Sequence, residues 1–187
     1  MLNKAQPLKG SLLISEPFMM DPNFKRSVLL LTEHNEEGTI GYVLNQKSSF
    51  FLNDVIPDCP DADFPIFIGG PVGADTLHFL HRCNDRLDGG LEIAKGIYWG
   101  GDFEMLMLMI NAKHIEKHEI KFFIGYSGWE PGQLNKELEL NSWLVQNTYK
   151  PGMITNNNID NLWKEIVSQL GPKYAHIANF PENPLWN

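Results

Sequence analysis

The sequence predicts an α+β fold built on one mixed or largely antiparallel β-sheet. Strand-like runs dominate the chain and stand in groups, whereas a regular βαβ array would alternate strands with helices. Two of these runs, at residues 27–32 and 39–44, flank a polar stretch that ends in Gly38. This pattern predicts a hairpin, because glycine reaches the positive φ that such a loop needs. Helical signals are fewer.

Short β-rich or apolar runs mark the strands in chain order. The first run, GSLLIS, ends at Glu16-Pro17 because the residue before proline is pushed towards extended geometry and proline cannot donate to a central ladder. The predicted strands cover residues 10–15, 27–32, 39–44, 66–68, 77–80, 91–99, 120–126 and 143–147.

Three helices and one turn complete the predicted elements, with the turn at residues 52–56. Residues 103–112 (FEMLMLMINA) are apolar nearly all round, which predicts a buried helix whose first turn is capped by Asp102. Pro131 predicts the start of a shorter helix through residues 133–139. Residues 159–170 repeat apolar side chains at helical spacing, and Gly171-Pro172 predicts the end of that helix.

Length and charge limit the classes of function. A chain of 187 residues is the size of one domain, so residues 1–187 are expected to form a single domain. Asp and Glu number 23 against 15 Lys and Arg, for a formal net charge of -8. This charge repels polyanions, and the scattered basic residues form no stripe, so nucleic acid is not expected as a partner.

Cysteine use and hydropathy predict a cytoplasmic location. Cys59 and Cys83 are too few for a disulfide scaffold and lie outside any CxxC pair. The N-terminal segment has no apolar leader, and the longest strongly apolar run is far shorter than the roughly 20 residues that span a bilayer. Neither secretion nor membrane insertion is indicated.

The segment FFIGYSGWEPGQL, residues 122–134, contains a serine that raises the question of a nucleophile. A nucleophile elbow has the pattern G-x-S-x-G, but Trp129 occupies the place of the second glycine. The sequence instead predicts a strand-to-helix corner at Ser127, in which Gly128 and Gly132 adopt unusual backbone angles and Trp129 is buried. Ser127 is therefore not expected to be catalytic.

The remaining glycine and histidine motifs predict neither a phosphate loop nor a metal site. Pro71 removes an N–H donor from Gly69-Gly70-Pro71, which is better explained as a structural turn. His78 and His81 are three residues apart in a predicted strand and so point to opposite faces. His114 and His118 lack the HExxH pattern. No metal and no cofactor are expected.

Four ordered motifs together resemble the bacterial AlgH/YqgE family. They are GSLLISEPFMMDPNFKRSVLLLTEHNEEGTIGYVLNQ, IGGPVGADTLHFLH, YWGGD and FFIGYSGWEPGQLNKEL, and the resemblance covers roughly residues 10–143. It implies one α+β domain whose bifurcated sheet forms a pseudo-barrel flanked by a few helices. In the family the place of Ser127 accepts alanine as well as serine, which agrees with the absence of a nucleophile. The C-terminal segment 156–187, which ends in PENPLWN, matches no motif of the family.

The resemblance implies less about function than about fold. Members of the family often carry the label of transcriptional regulator. The leading hypothesis is a non-catalytic binding or interaction module, because glycine, proline and tryptophan fill the motifs while no nucleophile-base or metal set is complete. The expected partner is a protein or a small anionic ligand, with Arg26 contacting the anion. The predicted surface combines Arg26, His34, Asn45, Gly70, Pro71, Ser127, Trp129 and Gln133.

Two alternatives stay open at this point. A hydrolase or phosphate-handling enzyme would use Ser127 with His34 or His81 as its base. A transcriptional regulator would bind DNA in a salt-sensitive manner, although the sequence contains no recognisable helix-turn-helix. The sequence leaves the oligomeric state open.

Overall fold

The computed structural model describes residues 5–180 and has the predicted α+β architecture. Within these residues ten strands form one branched sheet, and the helices pack against it. The pairing is antiparallel throughout the described residues except for one parallel pair. None of the described helices has the length and apolarity that a membrane crossing requires.

The sheet divides into two branches that share one strand, β9 (Ile120–Trp129). The first branch pairs in the order β10-β1-β2-β3-β9 and contains β1 (Leu12–Ser15), β2 (Val28–Asn35), β3 (Gly38–Val43) and β10 (Trp143–Gln146). The second branch contains β4 (Lys47–Phe51), β5 (Pro65–Ile68), β6 (Val72–His81), β7 (Leu91–Ala94) and β8 (Ile97–Trp99).

Strand β9 creates the bifurcation because its two halves have different partners. Its N-terminal half lies between β5, which is parallel to it, and β6, which is antiparallel. Its C-terminal end pairs with β3, where Ser127 lies opposite Gly41. The path from β10 to β7 does not close, so the pseudo-barrel that the resemblance implies is an open arrangement of strands.

Several strands differ from their predictions. Residues 91–99 form a hairpin of β7 and β8 rather than one strand, because Gly96 adopts a φ of 75° in the two-residue turn between them. Strand β4 was not predicted, since its largely exposed residues lack the alternation that marks a half-buried strand. Strands β6 and β9 both extend beyond their predicted ranges.

The described residues contain the three predicted helices, a short helix at the predicted turn and a further short helix after Gly171 that was not predicted. They are α1 (Leu52–Val55), α2 (Phe103–Asn111), α3 (Gln133–Glu139), α4 (Leu162–Gln169) and α5 (Pro172–Ala175), with 3₁₀ turns at Pro151–Met153 and Ile177–Asn179.

Helix α2 confirms one prediction and corrects another. The carboxylate of Asp102 accepts a hydrogen bond from the Met105 N–H at 2.9 Å, as expected of an N-cap. The helix is not fully buried, however, because only one face packs on the core through Leu106, Met109 and Ile110. The opposite face is open, and Leu108 is 64% exposed.

The C-terminal helices cover one face of the first branch. Leu162, Trp163, Ile166 and Val167 of α4 are buried in the same apolar cluster as residues of β1 and β2. The indole N–H of Trp163 donates to the Ser15 carbonyl at 3.0 Å. Residues 156–180 therefore form part of the core, while PENPLWN lies outside the described residues.

Candidate functional site

The glycine motifs of the sequence meet where the β5–β6 connection crosses β9. The Gly69 N–H donates to the Ile124 carbonyl at 2.9 Å. A Cβ at Gly69 would lie 2.3 Å from the Gly125 carbonyl oxygen, and a Cβ at Gly70 would lie 2.3 Å from the Ser127 hydroxyl oxygen. Both distances are far below van der Waals contact, so these glycines allow two backbones to approach closely. Pro71 follows on the exposed side of this crossing.

Ser127 belongs to this crossing and has a structural role. It lies inside β9 and not at a strand-to-helix corner, which corrects the sequence prediction. Gly125 and Gly132 have positive φ values of 67° and 75°, whereas Gly128 does not. The Ser127 side chain is fully buried, and its hydroxyl donates to the Gly69 carbonyl at 3.0 Å.

The two histidines considered as bases for Ser127 have other partners. His34 Nδ1 lies 2.7 Å from the Thr39 hydroxyl, and His81 Nε2 lies 2.9 Å from the Gly100 carbonyl. His81 Nδ1 also lies 3.5 Å from the sulfur of Cys83. Burial raises the pKa of Cys83 to about 11, so this cysteine is a thiol at neutral pH rather than a nucleophilic thiolate.

Trp129 and Gln133 are joined through one carboxylate on α3. Glu137 accepts hydrogen bonds from the indole N–H of Trp129 at 3.0 Å, from that of Trp143 at 2.7 Å and from the Gln133 amide at 2.9 Å. Trp129 is buried, and its ring stacks on Phe24 with centroids 6.0 Å apart. These contacts fasten α3 to the ends of β9 and β10.

Arg26 and Asn45 form a separate group. Asn45 accepts from the Val28 N–H at 2.8 Å and donates to the Arg26 carbonyl at 2.9 Å, which holds Arg26 at a φ of 47°. The Arg26 guanidinium lies over the Trp163 ring, 5.0 Å from its centroid, and donates to the Phe180 carbonyl. The Arg26 guanidinium thus contacts the C-terminal segment.

The eight residues of the predicted surface therefore fall into three groups. Gly70, Pro71 and Ser127 lie at the backbone crossing. Trp129 and Gln133 line a groove beside the β2–β3 hairpin, and His34 lines a neighbouring hollow on the same hairpin. Arg26 and Asn45 form the third group, which belongs neither to the backbone crossing nor to the cavities at the hairpin. Their joint role as one binding surface stays a prediction.

The described residues also form a concave site that the sequence did not indicate, which we call the aromatic pocket. Its volume is about 310 Å³. Four rings from four strands line it: Tyr42 on β3, His78 on β6, Trp99 on β8 and Tyr126 on β9. The remaining wall is largely aliphatic, with Ile40 and Leu91 among its residues.

The rings of the aromatic pocket hold one another in place. The Trp99 indole N–H donates to the Tyr42 hydroxyl at 3.0 Å. The His78 ring lies between the others, with centroid distances of 5.4 Å to Tyr42, 6.3 Å to Trp99 and 6.0 Å to Tyr126. Because each ring is carried by a paired strand, the pocket is preformed.

The rings of Tyr42 and His78 are uncharged at neutral pH. Burial is the main cause that raises the pKa of Tyr42 to about 12; the Trp99 hydrogen bond opposes this, while Tyr126 and the Glu33 carboxylate add to it. Burial also lowers the pKa of His78 below its usual value. Glu33, which lines the pocket from β2, is the charged member of its wall.

A second cavity of about 620 Å³, the hairpin groove, adjoins the aromatic pocket. Glu33, Ile40 and Tyr126 line both cavities. Farther along, Glu37 and Glu130 line the hairpin groove. Among residues 5–180, no three His, Cys, Asp or Glu side chains are grouped so that they could hold a metal ion.

Comparison with known proteins places this architecture in a family. A family model described as AlgH-like matches residues 12–175. A UPF0301 protein of Chlorobaculum tepidum is 42% identical over 188 residues and covers 100% of both chains. A UPF0301 protein of Bacteroides thetaiotaomicron is 40% identical, covering 99% of this chain and 94% of its own.

The chain belongs to the AlgH-like family.

Two solved structures are similar to this AlgH-like chain. The solution structure of the AlgH protein from Pseudomonas aeruginosa matches with a TM-score of 0.71 and 29% identity, over 96% of this chain and 98% of that one. A crystal structure of protein DIP2367 from Corynebacterium diphtheriae has a TM-score of 0.78 over 95% of each chain. At 23% identity, the second match concerns the fold alone.

Sequence reasoning missed the aromatic pocket of this AlgH-like chain because its rings are dispersed. Tyr42, His78, Trp99 and Tyr126 stand on four strands, and no spacing along the chain connects them. In the sequence, His78 stands out only as a possible metal ligand, and Tyr126 only as the end of a strand. The pairing of β6 with both β8 and β9 is what brings three of the rings together.

Proposed function

We propose that this AlgH-like protein is a non-catalytic binding module that takes up a small organic ligand in the aromatic pocket. The observation that carries the proposal is a preformed cavity of about 310 Å³ with four aromatic rings in its wall. Ligand pockets in proteins have volumes of about 300–1,000 Å³ and predominantly apolar, aromatic walls. The pocket is at the lower end of that range, which favours a ligand of one or two rings.

The chemistry of the nearby residues supports binding rather than covalent catalysis. Ser127 is buried and bonded to a carbonyl oxygen, which leaves the hydrolase alternative without an exposed nucleophile. In the part of the chain that the structure describes, no cysteine, serine or lysine lines the pocket. An anion contact at Arg26 remains a separate prediction, because that guanidinium lies over Trp163 and is not among the described residues that line the pocket.

The test of the proposal uses indole as an uncharged aromatic ligand. Titration of the full-length protein with indole, followed by amide and indole N–H chemical shifts, is expected to shift the Trp99 Nε1–H signal more than those of Trp129 and Trp143. Replacing Tyr126 by Leu removes one ring from the wall and is expected to weaken indole binding about fivefold, as the loss of an aromatic contact.

Tyr98→Leu is the matched control. Tyr98 lies on β8 beside Trp99 but stacks on His81, outside the pocket wall. The Tyr98→Leu variant should bind indole with an affinity within about twofold of that of the unchanged protein. Absence of indole binding, or shifts that map elsewhere, would overturn the proposal.

A further inference from the structure

We infer that the aromatic pocket selects organic cations, that is, ligands with an ammonium group attached to an apolar body. The inference rests on the proposed function and adds to it the charge of the ligand. Three features of the site support it: the charge of the wall, the faces of the rings and the charge of the adjoining groove.

Among the described residues that line the pocket, the one ionised group is negative. Glu33 contributes a carboxylate, and within residues 5–180 neither lysine nor arginine lines the wall. Burial keeps the His78 imidazole neutral at physiological pH, and the Tyr42 hydroxyl keeps its proton. An anionic ligand would therefore be repelled by Glu33 without a compensating cation, whereas an ammonium group would be attracted.

The aromatic walls favour the same sign of charge. The π-faces of tryptophan and tyrosine attract cations through the ring quadrupole, and this attraction grows when the cation is shielded from water. Trp99 and Tyr126 are half-buried, so part of each ring is open to a ligand, whereas Tyr42 is 2% exposed and holds the Trp99 indole through its hydroxyl. Two such rings in one wall with a carboxylate provide both the apolar contact and the counter-charge.

The groove beside the pocket is also negative. The hairpin groove shares Glu33 with the pocket and continues along Glu37 and Glu130. The whole chain carries a formal net charge of -8. Field lines from both sources draw cations towards the pocket and repel anions, which raises the association rate of a cationic ligand at low salt.

The experiment compares three probes that share the indole ring and differ in charge. Tryptamine is cationic, indole is neutral and indole-3-acetate is anionic at about pH 7.5. Isothermal titration of the full-length protein is expected to give a Kd for tryptamine roughly tenfold lower than that for indole, from a cation–π contact together with a partly exposed ion pair. Indole-3-acetate should bind more weakly than indole.

Glu33→Gln tests whether the selectivity originates in the pocket. This variant is expected to reduce the preference for tryptamine over indole to about threefold, since the ion pair is lost while the cation–π contact persists. Glu36→Gln is the matched control: it makes the same charge change on the same hairpin, and Glu36 lines neither the pocket nor the hairpin groove. It should keep the tenfold preference.

The outcomes separate this inference from the proposed function. Equal affinities of the unchanged protein for tryptamine and indole, or tighter binding of indole-3-acetate, would overturn the cation preference and leave the pocket as a ligand site. An equal effect of Glu33→Gln and Glu36→Gln would overturn the role assigned to Glu33. If none of the three probes binds at the pocket, the proposed function and this inference both fail.

Discussion

At the scale of single residues, Lys121 is an unusual member of the core. It is fully buried on β9, and its ammonium group donates to the carbonyls of Leu44 at 2.9 Å and Asn156 at 2.7 Å. It also lies 4.1 Å from the centroid of the Phe67 ring. One side chain therefore links the end of β3, the centre of the sheet and the segment before α4.

The burial of Lys121 makes the stability of the protein depend on pH. Burial lowers its pKa to about 7, whereas a lysine in an unfolded chain titrates near 10.4. Between these values the unfolded chain binds a proton that the folded protein does not, so this residue makes the free energy of unfolding rise with pH. Below about pH 7 the full cost of burying the charge is present.

Lys121→Met removes this titration. As the pH rises from about 7.5 to 9.5, the unfolding free energy of the unchanged protein should increase relative to that of the variant. The expected increase is up to about 1.4 kcal/mol per pH unit. Urea unfolding at several pH values measures it. The exposed Lys136→Met is the control, and parallel pH profiles for the unchanged protein and Lys121→Met would contradict the assignment.

At the scale of elements, the crossing of the β5–β6 connection over β9 depends on glycine. Gly70 has a φ of 154°, and an added Cβ would meet the Ser127 hydroxyl and the Tyr126 backbone at 2.3 and 2.4 Å. Neither neighbour is able to move away easily, because both belong to the central strand of the sheet. The glycines of the motif IGGP thus allow the two backbones to pack closely. The close approach of Gly70 to Ser127 also explains why residue 127 is small.

Gly70→Ala is expected to lower the free energy of unfolding by about 3 kcal/mol or more, through overpacking together with backbone strain. Gly96→Ala is the control, since Gly96 also has a positive φ, of 75°, but a Cβ added there would meet no atom within 4 Å. The control should cost only about 1–2 kcal/mol. Urea unfolding compares the two, and equal losses would mean that the crossing tolerates a side chain.

At the scale of the whole molecule, charge argues against the regulator alternative in its DNA-binding form. The net charge is -8, and the largest groove described beside the pocket is lined by Glu33, Glu37 and Glu130. Proteins that bind DNA release counterions through clustered Lys and Arg, and binding is strongest at low salt. The present distribution of charge provides no such surface along the hairpin groove.

We therefore expect the purified protein to show no binding to duplex DNA even at about 50 mM salt, where non-specific affinity is high. Fluorescence anisotropy of a labelled duplex is the measurement, with a basic DNA-binding domain as positive control. A salt-sensitive titration curve would contradict this expectation and support the hypothesis of a transcriptional regulator.

Most elements could be predicted from local pattern, and the failures have physical reasons. The N-cap at Asp102 and the hairpin at Gly38 depend on neighbouring residues alone, so they are readable in the chain. Strand β4 depends on pairing with β5, and the exposure of Leu108 depends on what packs against α2. Such features are properties of tertiary contacts and leave no periodic signal.

By itself, the sequence determined the α+β class, the AlgH-like family, the negative charge and the absence of a complete serine-nucleophile motif. The class and the charge follow from composition and local order, which every short segment carries with it, whereas the family follows from the resemblance of four ordered motifs. Only the tertiary structure decided that Ser127 is a packing residue, that Arg26 contacts the C-terminal segment and that four rings enclose a pocket. The reason is that strand pairing joins residues far apart in the chain: β9 alone brings together β3, β5 and β6.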